Sequence, residues 1–179
     1  MTLLSKICTK LQAFRHCSSG SSTVEFVLIA PTLLWFVFSV FEAGWLMTQQ
    51  TMLARGLNMA IRDLRLGRIE NATHEIVKAR VCARARILRE CMGSIHLELQ
   101  PISLSTGVPQ TSPSCVDVTG EITPAENFST GVRDQEIMFI RACVVVKPLM
   151  PGMGLGADLT KDASGRFSLV AFSAFMNEG

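Results

Sequence analysis

An uncharged apolar block at residues 26–41 is the feature that most limits how this chain can fold. With residues 43–47 added, and with Glu42 near one interface, the block reaches roughly 20 residues or more, enough to cross a bilayer as a helix. Hydrophobic residues make up 48% of the 179-residue chain and charged residues only 18%, which is more apolar than is usual for a soluble domain of this length. The sequence therefore predicts one membrane-spanning helix in contact with a lipid bilayer.

The apolar block is predicted to be a retained anchor and not a removable secretory signal. It is longer than a typical signal core, and no small-residue cleavage site follows it. Residues 1–20 form a basic leader with Lys6, Lys10 and Arg15, which favours a cytoplasmic leader, although the other flank of the block carries three arginines of its own. Four of the six cysteines lie in the C-terminal part, which fits an oxidising compartment. We expect a single-pass protein of the bacterial inner (cytoplasmic) membrane with its C-terminal domain in the periplasm.

The membrane helix is predicted to continue beyond the bilayer, so that one helix covers residues 21–66. After Gln49, apolar residues recur at helical spacing and polar residues take the opposite side. The apolar positions are Leu53, Leu57, Ala60, Ile61 and Leu64. Gly67 is a suitable stop for this helix, and Pro31 is predicted to kink it locally, which membrane helices tolerate.

Residues 67–179 are predicted to form an extracytoplasmic α+β domain. A second helix is expected to begin after Asn71 or Thr73 and to end at Gly93. Alternating or continuous apolar stretches then predict strands at residues 95–100, 115–122, 136–147 and 166–176, the third of them central. Helices followed by strands indicate an antiparallel sheet of about four strands, on which part of the apolar stripe of the long N-terminal helix is expected to pack.

The sequence carries no recognisable catalytic or ligand-binding constellation. The three histidines are scattered, and no nucleophile-elbow, phosphate-loop or metalloprotease motif occurs. The cysteine spacing does not match a zinc site, and the net charge of +2 without a long basic run gives no indication of nucleic-acid binding. We therefore expect no enzyme activity, no metal and no cofactor.

Four cysteines of the predicted exported part, Cys82, Cys91, Cys115 and Cys143, are expected to form at least one disulfide, and they allow three pairings. The most local pairing, Cys82 with Cys91, would place the two cysteines about 13 Å apart in rise if one helix continued through both. A disulfide needs Cα atoms within about 7 Å, so this pairing requires the helix to end before Cys91. The leader residues Cys8 and Cys17 are expected to stay reduced.

The most informative motif is a glycine followed five residues later by a carboxylate at the membrane edge. The stretch from Gly20 through Ser21 to Glu25 follows the basic leader and opens the apolar helix. Glycine leaves a scissile bond accessible in an extended chain, and a carboxylate at this depth is costly to bury. Taken singly, Gly20 is explained as a flexible joint and Glu25 as an acid favoured at a helix N-terminus.

Together with Pro31 and the segment from Phe41 through Glu42 to Gly44, this motif resembles the TadE-like pseudopilin family. The resemblance covers about residues 20–66, and the end of the chain is similar to a closing motif of the family, with Gly179 in place of a proline. It implies a minor pilin-like component of the tight-adherence (Flp) pilus machinery. It also implies cleavage after Gly20 by a prepilin peptidase, and other pilin or pilus-assembly proteins as partners. The competing interpretation is an uncleaved, membrane-anchored scaffold or binding protein of the envelope.

Overall fold

A computed structural model of the protein describes residues 21–69, 72–103, 107 and 136–176. The elements follow one another as α1 (Ser21–Arg65), α2 (His74–Arg84), α3 (Cys91–Ser94), β1 (Ile95–Ile102), β2 (Ile137–Val146), α4 (Leu155–Asp158) and β3 (Phe167–Met176). The long N-terminal helix, the further helices and the antiparallel sheet confirm the predicted α+β class. Within the described residues the sheet has three strands instead of about four, and the predicted strand 115–122 lies outside them.

Helix α1 has the two-part character that the sequence predicts. Its apolar stripe beyond the predicted membrane span is buried, with Leu53 and Leu57 fully inaccessible, whereas Arg55 and Arg62 on the opposite side are exposed. The helix continues through Pro31, and a local kink there stays a prediction. The amphipathic part of α1 is therefore a structural element of the folded domain.

The end of α1 is closed by a Schellman motif. The backbone N–H of Gly67 donates to the carbonyl of Leu64, and that of Arg68 donates to the carbonyl of Asp63. Gly67 has φ +61°, the left-handed conformation that this motif requires and that glycine adopts without steric cost. The predicted stop at Gly67 is confirmed.

The predicted extent of the second helix is wrong, because α2 ends at Arg84 and not at Gly93. Ala85 leaves the helical conformation with ψ 52°, and Glu90 adopts the left-handed conformation with φ 55° before the short helix α3. The buried side chains Ala85 and Leu88 made a longer helix plausible from the sequence, but they reach the core from turns. The turns bring the Cα atoms of Cys82 and Cys91 to 5.7 Å, a distance that a continuous helix excludes.

The sheet is fully antiparallel in the order β1-β2-β3, and the predicted central strand is confirmed. Ile95 lies opposite Val144 in the first pairing, and Val144 lies opposite Leu169 in the second. Strand β1 is buried at Ile95, Leu97 and Leu99, which face the core, as its alternating sequence predicts.

The core lies between the sheet and the two helices α1 and α2. Three contacts of α1 fix its position in the domain. Gly56 lies so close to α2 that an added Cβ would be 2.8 Å from the carbonyl oxygen of Val81. The side chain of Gln50 donates to the carbonyl of Val170 in β3 at 2.6 Å. Asp63 lies 3.7 Å from Arg84, an ion pair between α1 and α2.

Candidate functional site

The N-terminal part of α1 carries the residues that the sequence marks for processing. Gly20 lies outside the described residues, and α1 begins at Ser21. Glu25 lies one helical turn further on and is exposed at the surface of the helix. The structure thus places Ser21 and Glu25 on consecutive turns of one helix.

The first five turns of α1 have no protein packed around them among the described residues. This is the one described helix that is long and apolar enough to cross a membrane, with a mean hydropathy of 2.1 over its best 18 residues and none of that window buried. The large apolar side chains of this part are exposed by 42% (Val37) to 71% (Leu28), except that of Phe38, which is half-buried. A soluble domain rarely leaves so large an apolar surface in water, so this part of α1 suits a lipid environment or neighbouring helices.

Glu42, at the C-terminal end of the apolar block, is 1% exposed. Its two carboxylate oxygens accept hydrogen bonds from two consecutive backbone amides, Oε1 from Leu149 at 2.9 Å and Oε2 from Met150 at 3.0 Å. A carboxylate with a donor for each oxygen is compensated for much of the cost of its burial. Glu42 therefore joins the segment at residues 149–150 to α1.

Residues 148–158, here called the 150s loop, connect β2 to the rest of the chain and include α4. Besides its bonds to Glu42, the loop packs closely on α1 at Gly154, where an added Cβ would lie 3.3 Å from the Cα of Ser39 and nearer still to its hydroxyl. Gly154 also has φ +58°, so both space and backbone conformation require glycine there. Within the loop, only the four residues of α4 are helical.

A cleft of about 550 Å³ opens directly beside the 150s loop. Its walls include three cationic side chains, Arg89, Lys147 and Arg166, and one acidic side chain, Glu90, together with Trp45 and Gln49 of α1. Gln49 is 6% exposed, and its Oε1 atom has no hydrogen-bond partner among the described residues. The cleft therefore combines positive charge at its rim with an unused acceptor inside.

The turn before β3 is rigidified by Asp162. Its Oδ1 atom accepts hydrogen bonds from the backbone amides of Ser164 and Arg166, and its Oδ2 atom accepts one from the Arg166 guanidinium at 2.9 Å. Desolvation alone would raise the pKa of Asp162, but the hydrogen bonds from Arg166 and its positive charge hold that pKa below the ordinary value. The turn thus fixes Arg166 at the rim of the cleft.

A disulfide joins Cys82 at the end of α2 to Cys91 at the start of α3. The helix ends before Cys91, which is the condition that the sequence set for this pairing. Cys143 is also disulfide-bonded, and Cys115 lies outside the described residues, as do Cys8 and Cys17.

His96 of β1 is the one described histidine with a perturbed acidity. Burial lowers its pKa below the ordinary value, and the nearby positive charges of Lys78 and His74 lower it further. Its Nε2 atom is buried without a hydrogen-bond partner in the described part of the chain. Within the same part, no group of three or more histidine, cysteine, aspartate or glutamate residues is arranged to hold a metal ion.

Sequence reasoning missed the contacts that join the 150s loop to α1. It placed Glu42 near a membrane interface, but its partners lie 107 and 108 positions away, and no local pattern indicates them. It also missed Lys161, whose Nζ atom donates to the carbonyls of Pro151, Gly156 and Ala157. The apolar character of the loop between Pro148 and Gly156 was the available signal that this loop contacts an apolar surface.

The described structure defines a class of protein in which a long N-terminal helix continues into a disulfide-bonded α+β domain. The first part of this helix is apolar and exposed, which is compatible with a single-pass membrane anchor. Residues 20–62 match the family model described as TadE-like protein, which confirms the resemblance over the N-terminal segment. The match begins at Gly20 and covers the apolar block and most of the amphipathic part of α1. No curated protein and no solved structure shows significant similarity to the chain.

Proposed function

We propose that this chain is a minor pilin-like membrane protein that acts in assembly of a tight-adherence (Flp, type IV-like) pilus for surface attachment, and that it is not an enzyme. The observation that carries this proposal is the match of residues 20–62 to the TadE-like family model. The matched segment contains both Gly20 and Glu25, the two residues that a prepilin peptidase would require at its substrate's membrane edge.

The exposed apolar side chains in the N-terminal half of α1 support this role. Pilin-like helices have to leave one lipid environment and pack against other helices, which requires apolar side chains without fixed partners in the monomer. The exposed side chains of α1 from Val24 to Phe41 meet this requirement. Partners of the proposed function are the prepilin peptidase, other pilin or pilus-assembly proteins and the lipid bilayer.

The proposed location is the bacterial inner membrane, with residues 1–20 in the cytoplasm and the α+β domain in the periplasm. The Cys82–Cys91 disulfide supports an oxidising compartment for the domain. An alkaline phosphatase fused to the C-terminus should then be active, whereas activity of a cytoplasmic reporter at that position would contradict the topology.

The processing step is tested by the N-terminal sequence and intact mass of the membrane-extracted chain, produced with and without the prepilin peptidase of its own organism. We expect the chain to begin at Ser21 only when the peptidase is present. Gly20→Leu should block this cleavage because a bulky side chain stands beside the scissile bond. Gly93→Ala is the matched control, since an added Cβ at Gly93 meets nothing within 4 Å and the residue lies outside the matched segment.

Pilus output in a strain that lacks this chain is the second readout. Loss of pili, restored by the native chain and by Gly93→Ala but not by Gly20→Leu, supports the proposal. A chain that begins at Met1 in the presence of the peptidase contradicts it and favours an uncleaved membrane-anchored scaffold or binding protein.

A further inference from the structure

The 150s loop lies at the same height along α1 as the end of the apolar block. Its backbone is held at Ser39 through the close approach of Gly154 and at Glu42 through two hydrogen bonds. Phe41, on the same turn of α1, is 71% exposed. If residues 26–41 cross the hydrocarbon, a length of about 24 Å at 1.5 Å per residue, the loop meets the membrane surface.

The surface of the 150s loop is apolar. Leu149 is 54% exposed and Met153 is 48% exposed, and the exposed backbone between them contains Pro151 and Gly152. The only charged residue of the loop is Asp158, at its far end. This apolar surface continues from the apolar block of α1 and has the exposed Lys147 at its border, which indicates lipid surroundings for the apolar part and headgroups for the border.

Several backbone amides and carbonyls of the loop have hydrogen-bond partners within the protein, which a loop exposed to water does not require. Glu42 accepts from the amides of Leu149 and Met150. Lys161 donates to the carbonyls of Pro151 at 2.8 Å and Ala157 at 3.2 Å, and also to the carbonyl of Gly156. Irregular backbone tolerates an apolar environment only when its amides and carbonyls have partners, because water is absent there.

The cleft beside the loop carries groups that can bind phospholipid headgroups. Arg89 and Lys147 are exposed at its rim, and phospholipid headgroups carry phosphate. Trp45 stands about 6 Å above Phe41 along α1, the depth at which tryptophan is enriched in membrane proteins. The buried Oε1 atom of Gln49 offers an acceptor to a hydroxyl or ammonium group of a lipid.

We propose that the 150s loop inserts Leu149 and Met153 into the leaflet that faces the folded domain, with the cationic cleft against the lipid headgroups. This proposal rests on the membrane anchoring that is part of the proposed function. The domain is then attached to the bilayer at two points, α1 and the loop, and its orientation on the membrane is fixed. A helix anchor alone leaves the tilt of the domain relative to the membrane undefined.

The test is fluorescence quenching of the full-length chain reconstituted in vesicles of phosphatidylethanolamine and phosphatidylglycerol. Leu149→Trp is made in a background with Trp35→Phe and Trp45→Phe, so that one tryptophan reports on the loop. Lipids brominated near the carbonyl end of the acyl chains should strongly quench its emission and acrylamide in the buffer should quench it weakly. The emission maximum should shift to shorter wavelength relative to a water-exposed tryptophan.

Leu66→Trp in the same background is the matched control, because Leu66 is 53% exposed and follows the end of α1, about 36 Å beyond Phe41. Its tryptophan should respond to acrylamide and not to brominated lipid. Met153→Trp repeats the measurement on the second side chain, and far-UV circular dichroism verifies that each variant is folded.

A tryptophan at 149 that behaves like the one at 66 would overturn the proposal. The variant that retains only Trp35 separates this outcome from failure of the membrane anchor. If Trp35 is quenched by brominated lipid and the tryptophan at 149 is not, only the loop proposal fails. If Trp35 is not quenched either, the chain does not span the bilayer and the proposed function fails with it.

Discussion

The Oε2 atom of Glu42 accepts a hydrogen bond from the backbone amide of Met150 at 3.0 Å, although the two residues are 108 positions apart. The Oε1 atom makes the equivalent bond to Leu149. Together these bonds connect the point where α1 leaves its apolar block to the loop that follows the central strand. Glu42 is therefore a positioning residue for the 150s loop.

We predict that Glu42→Ala releases the 150s loop from α1. Each amide left without an acceptor costs about 1–3 kcal/mol when it stays buried. Hydrogen exchange of the amides of Leu149 and Met150 should accelerate in the full chain in nanodiscs, while exchange in β2 stays slow. Glu75→Ala is the control, because its side chain is 71% exposed. Unchanged exchange at residues 149 and 150 would show that the carboxylate does not hold the loop.

The disulfide between Cys82 and Cys91 is predicted to stabilise the turns between α2 and α3. A bridge that closes a loop of this size contributes about 2–3 kcal/mol through the entropy of the unfolded chain. The double variant Cys82→Ala/Cys91→Ala should unfold at lower denaturant concentration than the native chain. Non-reducing peptide mapping should recover the two cysteines in one linked pair, and free thiols at both positions would contradict the pairing.

His96 should make the domain less stable at acid pH. Because burial and the charges of Lys78 and His74 lower its folded-state pKa, the unfolded chain takes up a proton near pH 6.5 while the folded chain does not. The contribution of His96 to the free energy of unfolding is complete above pH 6.5 and is lost as the pH falls from there toward the folded-state pKa. Thermal unfolding should therefore depend less on pH between about 7.5 and 5.5 in His96→Gln than in the native chain. Equal pH dependence of thermal unfolding in the two proteins would show that His96 is not the cause of the loss of stability at acid pH.

The amphipathic part of α1 was predictable because its evidence is local. Burial of Leu53, Leu57 and Ala60, with Arg55 and Arg62 outside, follows from spacing within one helix. The central position of β2 followed from its continuous apolar sequence in the same way.

The features that sequence reasoning misplaced or missed depend on contacts between different parts of the chain. The end of α2 is determined by turns and a disulfide that compete with a plausible helical pattern at Ala85 and Leu88. The bonds from Glu42 and Lys161 to the 150s loop involve backbone atoms, which every residue provides, so residue types do not reveal them. Their identification required the three-dimensional arrangement.

Leu57→Arg is predicted to disrupt folding and, through it, assembly. Leu57 is fully buried in the core between α1, α2 and the sheet, and a buried charge without a partner is strongly destabilising. Protein level and pilus output should both fall, and Leu57→Ala should lower stability by about 2–5 kcal/mol. Arg55→Ala, on the exposed side of the same helix, is the control and should have little effect. Normal protein level with Leu57→Arg would contradict the observed burial.

The last prediction concerns Glu25, which lies one turn after Ser21 on an apolar helix. Cleavage after Gly20 would create an α-amino group at Ser21, which is mostly protonated at neutral pH because such groups have pKa values of about 8. Glu25 then faces a full positive charge on its own helix or on a neighbouring subunit, in surroundings of low dielectric constant where the attraction is strong. Pairing with the α-amino group would offset the carboxylate charge, which makes the subunit easier to extract from the bilayer.

We therefore expect Glu25→Gln to leave cleavage largely intact, since the amide preserves the shape of the side chain, but to impair incorporation or pilus formation. Glu25→Leu should do at least as much damage because it also removes the hydrogen-bonding atoms. The measurements are the N-terminal sequence, the protein level and the sheared pilus fraction of each strain. If Glu25 only favours the helix N-terminus, its loss costs about 0.3–1 kcal/mol and pili form normally. Normal pili in the Glu25→Gln strain at normal protein level would therefore exclude charge pairing as the role of this residue.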